Sequence, residues 1–98
     1  MLKIFLERCK VIVSLTTIVH DKQDLNKESE RTAPIVKERN VCAMKLAREF
    51  GLSVDDAYSV SVKLGKDGKE EDGIHFNSRG KEMLSVNKAQ AIKKALGF

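Results

Sequence analysis

Aromatic side chains are scarce in this chain: four Phe, one Tyr and no Trp among 98 residues. Nucleic-acid binders show a dense basic stripe, often with interleaved aromatics. A formal charge of only +4 with so few rings argues against a nucleic-acid partner. Long apolar runs are also missing. Stretches such as Val11-Ile12-Val13 fall far short of the ~20 residues that span a bilayer, so no membrane span is expected. Cysteine is limited to Cys9 and Cys42, too few for a disulfide scaffold. The two lie far apart and beside apolar residues, so buried thiols are expected, although sequence alone leaves a bridge between them open. There is a single proline, and no low-complexity tract or internal repeat interrupts the chain. The length allows one small domain at most. A balanced charge and 42% apolar residues exclude full disorder.

What is present is unevenly placed. From Ser78 onward, Arg79, Lys81, Lys88, Lys93 and Lys94 oppose the single Glu82, so this segment holds the whole formal excess of +4. The late lysines suit the negative end of a helix dipole. At the other end, Met1-Leu2-Lys3-Ile4-Phe5-Leu6 is broken by Glu7-Arg8 and is too short for a signal peptide. If the chain is complete as given, a cytoplasmic location is expected.

The periodicity predicts an α/β fold. Leu2, Phe5 and Leu6 read as the end of a helix, and Val11 to Thr17 as a strand buried on both faces, as in a parallel sheet. Such a strand needs neighbours, and no earlier strand precedes it. An unpaired edge here favours self-association. Ile18 to Arg31 is polar and reads as a long loop headed by His20-Asp21. That pair could line a ligand crevice, but a solvated loop is the simpler expectation. Thr32 and Pro34 open a helix whose apolar face is Ile35, Val36, Cys42, Ala43, Leu46, Ala47 and Phe50, ended by Gly51. Leu52-Ser53-Val54 suits a short strand, and Ser59 to Leu64 fits either strand or helical turn. Gly65 to Glu71 reads as an exposed turn. It lacks the frame of a phosphate-binding loop. Asn77 or Ser78 caps a last helix to about Leu96, with Met83, Leu84, Ala91, Ile92 and Ala95 as its buried stripe. The histidines and cysteines show no metal-ligand spacing, no cofactor is implied, and Tyr58 is expected to pack with a wet hydroxyl.

Asp72 and His75 are the candidate catalytic residues. Three positions apart, a carboxylate and an imidazole meet in one tight turn. The carboxylate accepts from Nδ1–H and leaves Nε2 free to take a proton. Gly73 supplies a permissive backbone, while Ile74 and Phe76 are expected to hold the ring and exclude water. Spacing alone is weak evidence, because D-x-x-H is common by chance.

The wider string is more specific. Asp72-Gly73-Ile74-His75-Phe76-Asn77, followed by Gly80 and an amphipathic helix, resembles the last sequence block of the SGNH hydrolases, or GDSL esterases and lipases. The strand from Lys10 to Thr17, the helix around Val36-Lys37-Glu38-Arg39-Asn40 and the segment Gly51 to Tyr58 are similar to the family's late elements, in its order. The resemblance implies a three-layer α/β/α sandwich, here partial, with two or so parallel strands and flanking helices. It further implies hydrolysis of acyl esters, acetyl esters of carbohydrate among them, with His75 as general acid/base and Asp72 as its orienting carboxylate.

The chain departs from that family in its chemistry. None of Ser14, Ser29, Ser53, Ser59, Ser61, Ser78 or Ser85 follows Gly-Asp, and no Gly-x-Asn-Asp block supplies oxyanion donors. Lys81 stands where the family often has an aromatic. The expectation is that residues 1–98 are the C-terminal part of one such domain, inactive unless an N-terminal half adds nucleophile and oxyanion hole. A different class of reading is a complete small basic interaction protein with a vestigial D-x-x-H block, whose last helix meets an acidic partner.

Overall fold

The computed structural model describes residues 9–97. The helix expected over Leu2 to Leu6 lies outside these residues. The described part is mixed α/β. Strand β1 (Ile12–Ser14) leads through a long loop to helix α1 (Ala33–Phe50). Strand β2 (Ser53–Asp55), helix α2 (Ala57–Leu64), a 3₁₀ turn (Gly65–Gly68) and helix α3 (Ser78–Leu96) follow. The two strands pair in parallel, with Ile12 opposite Ser53 and Ser14 opposite Asp55. Among the described residues no helix is long and apolar enough to cross a membrane.

The helix ends follow the sequence. Gly51 closes α1 in the left-handed conformation at φ 65°, a backbone that glycine adopts freely. Asn77 caps α3, its Oδ1 accepting from Gly80 N at 2.9 Å. Asp56 caps α2 by accepting from Ser59 N, which resolves the ambiguous stretch before Leu64 as helix. Thr32 stands at the start of α1 but makes no cap bond to it; Pro34 in the first turn carries the start instead.

The core is thinner than the sequence pattern implies. The strand expected over Val11 to Thr17 shortens to three residues, with Ile12 and Val13 half-buried and Ser14 exposed. Among the described residues its one neighbour is β2. Strand β2 sits one residue later than expected. Of the apolar face expected for α1, Val36 and Ala47 are buried while Ile35, Leu46 and Phe50 are exposed. Met83 and Ile92 of α3 are likewise exposed. A two-stranded sheet covers only a narrow stripe of an 18-residue helix. Cys9 and Cys42, expected inside, are both exposed free thiols.

Side-chain parity defines the layers. Ser14 and Asp55 are in register and share one face. There Asp55, 1% exposed, accepts from Ser14 Oγ at 2.9 Å and from Asn87 Nδ2 of α3 at 2.6 Å. Leu15 has the opposite parity and lines a groove with Asn40, Val41 and Met44 of α1. Helices α3 and α1 therefore lie against opposite faces of the sheet.

Candidate active site

Asp72 and His75 occupy a closed turn between the 3₁₀ turn and α3. Lys69 and Phe76 form an antiparallel bridge at its base. Glu70 N donates to His75 O at 2.8 Å, and Gly73 N donates to Glu70 O at 3.1 Å. At the tip, Asp72 Oδ1 accepts from the backbone N–H groups of Ile74 and His75, at 2.9 and 3.0 Å. These bonds aim the second oxygen. Asp72 Oδ2 lies 2.5 Å from His75 Nδ1. A carboxylate only accepts, so this contact assigns the proton to Nδ1 and leaves Nε2 as the free acceptor.

The bond to His75, reinforced by the N–H groups of Ile74 and His75, holds the Asp72 carboxyl well below the usual carboxylate range. The lowered pKa favours the ionised carboxylate, which can stabilise an imidazolium. The side chain of His75 is 77% exposed. Ile74 is also exposed, so it does not exclude water from the ring as expected. The carboxylate and the backbone hold the ring.

Two glycines of the block are explained by contact. Gly73 has φ 74°, and a Cβ there would sit 2.5 Å from His20 O. A Cβ at Gly80 would sit 2.3 Å from Gly68 O and 2.9 Å from the Phe76 ring. The first glycine lets the loop after β1 press on the Asp72–His75 turn. The second lets α3 start against the 3₁₀ turn, where Asn77 N donates to Gly68 O.

That loop is not solvated at its head, as the sequence suggested. His20 is 7% exposed and its N–H donates to Gly73 O at 2.9 Å. Its Nδ1 is buried without a partner. Burial lowers the pKa of the imidazole, the Lys69 cation adds to this, and Glu28 opposes it. The sequence reading also missed Lys69. It lies in the stretch expected to be an exposed turn, yet is 6% exposed. Its Nζ donates to Ile18 O at 2.6 Å and Ile74 O at 3.1 Å, and sits 3.8 Å from the centroid of Phe76. Burial lowers its pKa to about 8, against the pull of Asp72. No sequence signal separates Lys69 from Lys66 in the same charged string.

Among the described residues the His75 side chain bonds only to Asp72. The hydroxyls of Ser14, Ser59 and Ser61 are engaged elsewhere, by Asp55, Asp56 and the Tyr58 carbonyl. No described group of three His, Cys, Asp or Glu side chains is placed to hold a metal ion. Half-buried Tyr58 lines the apolar groove beside α1, a space of about 780 Å³. Comparison of the chain with family models, curated proteins and solved structures returned no match.

Proposed function

We propose that this chain is the dyad-bearing, C-terminal part of an SGNH-type serine esterase acting on acyl esters, with acetylated carbohydrate among the candidate substrates. The observation that carries the reading is the Asp72–His75 pair, with the carboxylate fixed by two backbone N–H groups and the Nε2 side of the ring open. His75 Nε2 accepts the proton of a serine hydroxyl as that oxygen attacks the ester carbonyl. It then returns the proton to the leaving alcohol. Asp72 remains ionised and holds the imidazolium in place. The helix–sheet–helix layering supports a partial three-layer sandwich, to which an N-terminal half adds strands, nucleophile and oxyanion donors.

Alone, the 98-residue chain is expected to hydrolyse p-nitrophenyl acetate no faster than free imidazole, because nucleophile, base and oxyanion hole act as a unit. Expressed with the coding sequence upstream of Met1, which should carry a Gly-Asp-Ser block, it should gain esterase activity that His75→Ala abolishes. Rapid turnover by the chain alone, or an upstream sequence without that block in any frame, would overturn the reading.

A further inference from the structure

Two peptide groups hold the carboxylate of Asp72, and both are held in turn from behind. The peptide linking Gly73 to Ile74 donates its N–H to Asp72 Oδ1 at 2.9 Å, while its carbonyl, Gly73 O, accepts from His20 N at 2.9 Å. The peptide linking Ile74 to His75 donates its N–H to the same oxygen at 3.0 Å, while its carbonyl, Ile74 O, accepts from Lys69 Nζ at 3.1 Å. A donor on the carbonyl polarises a peptide group and strengthens the bond its N–H donates. It also fixes the peptide plane, and with it the direction in which Asp72 Oδ2 meets His75 Nδ1.

Lys69 is the long-range member of this set. Its Nζ also donates to Ile18 O at 2.6 Å. Ile18 is itself anchored, because its N–H donates to Ser61 Oγ of α2 at 3.0 Å, and Ser61 is fully buried. One side chain thus ties a fixed point of the fold to the peptide beside His75. The Phe76 ring faces the same ammonium group, 3.8 Å from ring centroid to Nζ. An apolar stem would fill this space without burying a charge. What it would lose is the tie.

We infer that Lys69 is a positioning residue for the Asp72–His75 pair: by fixing the Ile74–His75 peptide it keeps the carboxylate on Nδ1 and leaves Nε2 bare. Lys69 acts through Asp72, not on the ring. The positioning is a property of this chain alone, and its use in proton transfer rests on the esterase reading.

Proton–nitrogen correlation spectra of the isotope-labelled 98-residue chain report the tautomer of the neutral His75 ring during a pH titration, with His75→Ala identifying its signals. The parent should be mainly Nδ1–H. Even deprotonated, Lys69 keeps two N–H donors, so the alkaline end of the titration still reads the tie. Lys69→Met should lower the ratio of Nδ1–H to Nε2–H about fivefold, the equivalent of one hydrogen bond, with the far-ultraviolet circular dichroism unchanged. Should the Met variant fail to fold, Lys69→Gln, neutral and one bond shorter, carries the same expectation. In Asp72→Asn the ring is already released, so adding Lys69→Met should shift the ratio no further. An unmoved ratio in a folded Lys69 variant overturns the inference. So does an equal shift in the Asp72→Asn background, which would mean that the amine acts on the ring directly. No nucleophile is needed for these spectra. Loss of the esterase reading therefore leaves the inference standing, and an unmoved ratio leaves the esterase reading standing.

Discussion

Replacing Lys69 by Met keeps the length of the buried stem and removes its charge. At neutral pH two effects oppose each other. Ile18 O and Ile74 O lose their donors, a cost of about 1–3 kcal/mol each for buried acceptors. Against this, the variant no longer buries an ammonium group. The lowering of the Lys69 pKa from 10.5 to about 8 puts that burial penalty at up to ~3 kcal/mol, at ~1.4 kcal/mol per pH unit. Water reaching the amine brings it nearer ~2 kcal/mol. Lys69→Met should thus differ modestly from the parent at pH 7, by about 1–2 kcal/mol. The pH dependence is the sharper test. Below about pH 8 the amine is charged in both folded and unfolded chains, and the penalty is fully felt. Between about 8 and 10.5 the folded chain has released the proton while the unfolded chain still holds it. The parent therefore gains stability with rising pH across that window, and the Met variant lacks this gain. Urea unfolding followed by far-ultraviolet circular dichroism, with both chains at one concentration, should show the parent gaining about 2 kcal/mol relative to the Met variant from pH 7 to pH 10.5. A constant difference would mean that the amine is solvated, and that the turn does not rest on it.

Asp72 gives the opposite sign. Its folded pKa is depressed, so its contribution is complete above about pH 4, the unfolded value, and is lost as the pH falls through the folded one. Asp72→Asn should flatten the acid limb of the stability curve, and should abolish any low-field Nδ1–H proton resonance of His75 in a magnetic resonance spectrum. Gly80→Ala forces a methyl group into the Gly68 carbonyl, and should cost about 2–4 kcal/mol in urea unfolding. Asn87→Leu removes a donor from the buried Asp55 carboxylate and should cost about 1–3 kcal/mol, read as a lower thermal midpoint.

How far each feature was legible in the sequence depends on the range of the contacts that make it. The Asp72–His75 pair could be read directly because its geometry is local: three residues, one turn, and N–H groups from the same turn. The Asn77 cap and the Gly51 terminator are local in the same sense. Lys69 and His20 were misread because their burial comes from contacts between the loop after β1 and the Asp72–His75 turn, 51 residues apart in the Lys69–Ile18 bond. Charge pattern says nothing about such a meeting. The apolar faces of α1 and α3 were overread for a related reason. Periodicity shows which side of a helix seeks cover, not how much cover the described residues provide, and two strands of three residues cover little.

The carboxyl end of β1 runs through Thr16 to His20, whose N–H bonds to Gly73 in the Asp72–His75 turn. In open α/β sheets, ligands bind at the carboxyl ends of the strands. Under the esterase reading, a strand added in parallel along Ile12 and Ser14 delivers its own carboxyl end, and the loop that follows it, to the side of the sheet that holds His75.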